Sequence, residues 1–307
     1  IAALELCDTS EMGVEDMAAR ADAAEDAARS VKGITNSDGS EFSSGHNMTA
    51  MAASNGFAGK YASSGFSLSV SVIAGTGGGM ETDYAFDSTT FLADLRDAQI
   101  IGREAGERAS RALNPRKGIT RMMPLILDRR ISGSIINALA AACSGSLVAK
   151  GTSMFKHKMG EQVAAPAITI IDDPFIKRGA RSQPFDDEGL PPQKRAIIGG
   201  GVLNGWFLDL AAARQLGLTP TGNGARGTSS PPSPRPANLY MQNGTHDLKS
   251  LIADIDQGFY VTEFLGSGGS VVTGDYSRGA KGFWIENGEI TSAVSEMTIA
   301  GNLKAMF

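Results

Sequence analysis

A chain of 307 residues with 42% hydrophobic and 20% charged side chains carries enough apolar material for one large or two modest domains. Its formal charge of −5, with no gathered basic block, argues against a nucleic-acid footprint, and no apolar run reaches the roughly 20 residues of a bilayer-spanning helix. Cys7 and Cys143 stand far apart without CxxC spacing, which disfavours a disulfide framework or a thiolate zinc site and fits reduced thiols in a cytoplasmic protein.

The 38 glycines and few aromatics favour turns and short strands over a helical bundle. "GVEDMAARADAAEDAARSV" (13–31), rich in Ala with acids near its start, predicts a helix. From "ITNSDGSEFSSG" to "METDYAF", β-prone runs alternate with Asp-Gly, Asn-Gly and Ser-Gly turns and predict an antiparallel meander. A second helix is expected from about Thr90 to Leu113, ended by "NPRKG". "MMPLILD" reads as a buried strand, followed by a helix from about Ser132 through "GSIINALAAACSG".

"AITIIDDP" reads as a strand stopped by Pro174, and "KRAIIGGGVLNGWFLD" as a hairpin feeding the helix "LAAARQLG" with Gly217 as its cap. Thr219–Ala237 predicts a Pro/Gly/Ser loop without regular structure. "NLYMQNG" resumes as a strand and "HDLKSLIADI" as a helix. "GFYVTEFLGSGG", "SVVTGDYSRGAKGFWIENGEIT" and "AVSEMTIAG" are strands, with Asn287-Gly288 as a hairpin turn. The result is an α+β fold: helix–antiparallel meander–helix first, then a strand-rich, mainly antiparallel half. The chain opens at Ile1 without methionine and closes where "GNLKAMF" reads as the start of a helix, so it is expected to be a fragment, or the ordered part, of a longer chain.

Candidate chemistry is sparse. His46, His157 and His246 are isolated, without the paired imidazoles and adjacent glutamate of a zincin helix. "AGTGGGMETD" and "LGSGGSVVTG" lack both the P-loop and the dinucleotide spacing and read as turns. Asp172-Asp173 and Asp186-Asp187-Glu188 read as turn and loop carboxylates rather than an acid–base pair. There is no G-x-S-x-G elbow, and Cys143 reads as a small buried hydrophobe.

The strings "ITNSDGSEFSSG", "RRISGSIINALAAACSG", "IIDDP", "PFDDEG", "GVLNGWFLDLAAARQLGL" and above all "VTGDYSRGAKGFWIENGEIT" with "VSEMTIAGNL" resemble the TldD/PmbA family, and more narrowly its PmbA (TldE) branch. The resemblance spans nearly the whole chain. It implies that residues 1–115 are part of an N-terminal α/β domain lacking its first segment, and 116–307 a C-terminal strand-rich domain shortened at its end. In the TldD branch, the segment equivalent to "GSIINALAAACSG" carries HExxxH, whose histidines bind zinc and whose glutamate activates water. Here Asn137, Ala138 and Ala142 occupy those positions, and none can ligate zinc or take a proton as the family chemistry requires.

What the resemblance implies is a PmbA/TldE-like subunit without zinc of its own. It would complete the substrate chamber of a zinc-bearing, TldD-like metallopeptidase partner that acts in the cytoplasm on unfolded or small peptides, including microcin-type precursors and antitoxins. No catalytic residue, metal, nucleic acid or membrane is expected for this chain itself. The alternative is a non-enzymatic peptide-binding or assembly protein that forms homodimers or larger homo-oligomers; an older label of this family is modulator of DNA gyrase. An extended peptide is expected to pair with a strand edge in "NLYMQNG" or "SVVTGDYSRGAKGFW", with Tyr276, Arg278 and Lys281 facing partner or substrate.

Overall fold

The structure is a computed structural model that describes residues 2–266 and 268–307. Helix α1 (Val14–Arg29) leads into strands β1 (Ile34–Ala52), β2 (Ala58–Ala74) and β3 (Glu81–Thr89), which form an antiparallel sheet in the order β1-β2-β3, and helix α2 (Ala98–Arg111) follows. Alternate residues of β2, Leu68, Val70, Val72 and Ala74, are buried beneath Ile101, Ala105 and Ala109 of α2 and Ala24 and Ala28 of α1. The two helices touch through their backbones. A Cβ at Gly102 would meet the Ala24 carbonyl at 2.1 Å, and one at Gly106 the Ala28 carbonyl at 2.7 Å.

The second helix starts later than expected. Asp97 accepts hydrogen bonds from the Gln99 and Ile100 N–H groups as its N-cap, and the stretch before it is a 3-10 turn (Leu92–Asp94) held by the Asp8 carboxylate on the Leu92 N–H. The β1–β2 hairpin is long. Its far half, residues 43–48 of β1, is exposed on both faces, but its tip is pinned: the Phe57 and Tyr61 rings meet Phe185 edge-on at 4.9 and 5.3 Å between centroids.

In the second half come β4 (Arg116–Lys117), β5 (Leu125–Leu127), α3 (Arg129–Ala142), α4 (Gly145–Ala149), β6 (Ile170–Asp173), β7 (Arg195–Gly199), β8 (Val202–Leu203), α5 (Leu210–Leu216), β9 (Gly224–Ala225), β10 (Ser233–Pro234), β11 (Asn238–Met241), α6 (Leu248–Ile252), β12 (Gln257–Leu265), β13 (Asp275–Glu286), β14 (Glu289–Asn302) and α7 (Leu303–Met306). They build a five-stranded sheet, β4-β14-β13-β12-β5, and a four-stranded sheet, β11-β6-β7-β8. The long pairs β12–β13–β14 are antiparallel, and only the short β4 and β5 join in parallel. Asn287 (φ 52°) and Gly288 (φ 77°) turn β13 into β14 as a tight hairpin whose two central residues need positive φ. The shared core holds Leu139 and Ala142 of α3, Ile197 and Ile198 of β7, and Phe259 and Val261 of β12, with Phe207 and Leu203.

The α+β expectation holds in both halves. The loop 219–237 is more ordered than expected. It contains the β9–β10 bridge, and its buried Asn223 donates to Asp172 at 2.9 Å and accepts from Arg195 at 2.9 Å.

Candidate functional site

Helix α3, which carries the positions aligned with the expected motif, starts at a buried polar cluster. Asp128 caps it by accepting from the Arg130 N–H at 2.9 Å. The Arg130 guanidinium reaches Asp83 of β3 at 2.8 Å and Asp128 at 3.3 Å and lies over the Tyr84 ring, while the Tyr260 hydroxyl donates to the second Asp128 oxygen at 2.7 Å. Burial by itself would raise the Asp128 carboxyl. The Arg130 N–H, the Tyr260 hydroxyl and the Arg130 charge outweigh it and hold Asp128 below the ordinary carboxylate range. Burial, followed by the Asp128 hydrogen bond and charge, pushes the Tyr260 phenol up. Three hydrogen bonds engage the two Asp128 oxygens, so the cluster fixes α3 against β3 and β12.

Along α3, Asn137 is exposed, Ala138 is half-buried against the core and Ala142 is fully buried. At about 100° per residue, positions 137 and 142 lie about 140° apart around the helix. The Ala142 carbonyl accepts from the Ser153 hydroxyl at 2.5 Å, and burial pushes the neighbouring Cys143 thiol up to about 12, which keeps it protonated. Among the described residues no group of three or more His, Cys, Asp or Glu side chains is placed to hold a metal ion. The donor set on α3 therefore does not fit zinc. After α3, a Cβ at Gly145 would lie 2.7 Å from the Phe207 carbonyl, so the small residues there serve close backbone approach.

The three residues expected to face a partner are placed differently. Tyr276 is a correction: its ring is buried (4% exposed) edge-on to Phe264, because alternation along β13 turns it inward with Ala280. Its hydroxyl has no hydrogen-bond partner among the described residues. Half-buried Arg278 lies over the Phe264 ring and donates to the Gly266 carbonyl at 2.8 Å. Lys281 is held by Glu263 at 2.9 Å and by the Thr82 carbonyl of β3 at 2.9 Å, with Glu81 at 3.9 Å, and so joins the two halves of the molecule. The peptide edge expected in "SVVTGDYSRGAKGFW" is also corrected: β13 lies between β12 and β14 and has no free side along most of its length. The other expected edge, β11 in "NLYMQNG", is an outer strand that among the described residues pairs with β6 alone.

The carboxylates serve loops. Buried Asp186 accepts from the N–H groups of Glu188, Leu190 and Gly224 at 2.8–3.0 Å, and Asp172 from Asn223 and the Ala237 N–H. Burial raises both carboxyls above their ordinary range despite these donors. Asp173 turns the chain by accepting from the Phe175 N–H. Sequence reasoning missed the contribution of Arg130, Asp83 and Arg178. The third of these clamps Glu5 and Asp94 and stacks on Phe91 at 3.9 Å. Such long-range partners leave no local sequence signal.

Residues 7–113 match the family model for the PmbA/TldA metallopeptidase central domain, and residues 120–307 that for the PmbA/TldA metallopeptidase C-terminal domain. The chain is 37% identical over 292 residues to metalloprotease PmbA of Escherichia coli O157:H7, covering 95% of this chain and 62% of that protein. It is 35% identical over 304 residues to the metalloprotease PmbA homolog of Haemophilus influenzae, covering 99% and 66%. A metalloprotease TldD homolog of Buchnera aphidicola is 32% identical over 235 residues, covering 74% and 48%. The chain thus spans less than two thirds of the length of these relatives. Among solved structures, a putative modulator of DNA gyrase from Bacteroides thetaiotaomicron superposes with a TM-score of 0.89 at 31% identity, covering 98% of this chain and 67% of that one. TldE from Thermococcus kodakarensis superposes with a TM-score of 0.86 at 25% identity, covering 96% and 67%.

Proposed function

The chain belongs to the PmbA/TldD metallopeptidase family, and from that premise we propose that it is the PmbA/TldE-like, non-zinc-binding subunit of a cytoplasmic two-protein zinc metallopeptidase. The observation that carries the reading is α3, with Asn137, Ala138 and Ala142 where the catalytic branch needs two imidazoles and a carboxylate. The zinc and the water it activates belong to a TldD-like partner. This chain contributes walls and strand edges to the chamber in which unfolded or small peptides are cut, among them microcin-type precursors and antitoxins.

Such substrates share only a backbone, so recognition through main-chain hydrogen bonds suits them, and β11 offers an outer edge for it. Among the described residues no helix is long and apolar enough to cross a membrane, in keeping with this reading.

The test is metal analysis combined with peptidase assay of the chain alone, of a TldD-type homologue alone, and of the two together, each with and without chelator. Zinc and chelator-sensitive cleavage are expected only where the homologue is present, with more cleavage when this chain joins it. Stoichiometric zinc in the isolated chain, or no change in cleavage on mixing, overturns the proposal.

A further inference from the structure

The outer edge of β11 is closed at one end and open at the other. The Gln242 N–H donates to the Thr169 carbonyl at 2.8 Å, and Tyr240 and Asn238 pair with Ile171 and Asp173 in the same register. Even-numbered residues of β11 therefore bond toward β6, and Leu239 and Met241 turn their N–H and C=O outward. From Pro234 to Ala237 every main-chain donor is accounted for. Ala237 donates to the Asp172 carboxylate at 2.8 Å and Arg235 to the Asn223 carbonyl at 2.9 Å, while Pro234 and Pro236 have no N–H. A ladder on this edge cannot continue past Ala237. Downstream, Asn243 and Gly244 are exposed, and a Cβ at Gly244 would meet no atom within 4 Å.

The closed end is cationic. Arg235 lies two residues before Ala237, a span of at most about 7 Å along the chain, and the Arg181 N–H donates to the Asn238 side chain at 2.9 Å. Both arginines are exposed. Lys177, Arg178 and Lys194 are held by Glu5, Asp94 and Asp173, whereas among the described residues Arg181 and Arg235 have no ion-pair partner. The acids of this end are already engaged. Asp172 is buried and accepts from Asn223 and Ala237, and Asp173 holds Lys194 at 2.8 Å.

We infer that this edge takes the C-terminal end of an extended peptide, antiparallel to β11, with Arg235 and Arg181 holding its terminal carboxylate. Direction follows from charge and donor supply. An antiparallel peptide brings its C-terminus to the Ala237 end, where the ladder runs out and two guanidinium groups stand unpaired. A carboxylate accepts from them in the fork geometry that arginine favours. A parallel peptide sets its terminal ammonium beside the same two cations and is repelled. At the other end the peptide leaves past Gly244 without obstruction, so the site reads the terminus and sets no limit on length. The inference rests on β11 being the peptide edge of the function proposed above, and adds to it a preference for free C-termini. Peptides released by an earlier endoproteolytic cut carry such an end.

The experiment is titration of the isotope-labelled chain with one unstructured hexapeptide in two forms, ending in a free carboxylate or in an amide, followed by amide chemical shifts. The acid is expected to bind about ten-fold more tightly than the amide, with the largest shifts at Leu239 and Met241. The ratio should shrink as salt is added, because both arginines face solvent. Arg181→Gln/Arg235→Gln is expected to bring the acid down to the affinity of the amide, with an unchanged circular dichroism spectrum. Arg235→Lys keeps the charge, loses the fork and is expected to retain part of the preference. Equal binding of the two forms, binding of neither, a preference that survives the double variant, or shifts confined to regions away from β11 overturns the inference. Cleavage with a TldD-type homologue is read separately. An acid preference with no change in cleavage on mixing overturns the peptidase reading and leaves the terminus site standing; raised cleavage with equal binding does the reverse.

Discussion

The two outer strands of the first sheet are made of similar β-prone residues, yet one is buttressed by the second half of the molecule and the other is left bare. On β3, half-buried cations from α2, α3 and β13 satisfy the edge and at the same time join the two halves: Arg130 to Asp83, Lys281 to Thr82. On β1, among the described residues, only the inner side is paired. The difference shows that an edge's fate is set by which side chains tertiary structure brings to it and is only weakly encoded in the strand's own sequence.

Removing the central cation should break the contrast most severely. Arg130→Ala leaves Asp83 and Asp128 buried without their counter-charge and is expected to cost about 3–5 kcal/mol, read from urea unfolding. Lys281→Met leaves Glu81 and Glu263 facing each other and is expected to cost about 1–2 kcal/mol. Burial already raises the Glu81 carboxyl, with Lys281 opposing that rise. The fold therefore favours neutral Glu81, and the penalty in Lys281→Met should be largest at neutral pH and shrink as pH falls through the raised Glu81 range. Thermal melts of both proteins over that interval check the sign; a penalty that grows on acidification contradicts it.

Asp128 titrates in the opposite sense. Its carboxyl is held low, so the stability it contributes is full above the ordinary carboxylate range and is lost as pH falls through its depressed value. Asp128→Asn should accordingly flatten the acid limb of the stability profile while lowering the plateau at neutral pH. The smallest effect belongs to the bare edge. Met48→Lys should change monomer stability by less than about 0.5 kcal/mol, because the side chain is 74% exposed.

Much of the local architecture was legible in the sequence. Apolar alternation in "FSLSVSVIA" marked β2, the Ala-rich run marked α1, and Asn287-Gly288 marked the β13–β14 turn. Helix α2 was placed eight residues early, since nothing local distinguished Asp97 as the cap from other polar positions between Thr90 and Ala98. Tyr276 reads in the sequence as a polar side chain facing partner or substrate, whereas its burial comes from the strand pairing of β13 with β14 and from the Phe264 ring. For the candidate site, Asn137, Ala138 and Ala142 could be named from the sequence alone, because a missing donor is a matter of residue identity. The Arg130–Asp83–Asp128–Tyr260 cluster could not, because it joins residues from three distant parts of the chain whose only common property is the fold.

The Phe57–Phe185–Tyr61 contact changes the mechanics of the hairpin. Helices grip its root and an aromatic clasp holds its end, so it behaves as a beam supported at both extremities instead of a cantilever. A beam so supported bows little under thermal agitation. Whatever lies down along its length meets a straight template and gives up less freedom in joining it than it would against a swinging arm.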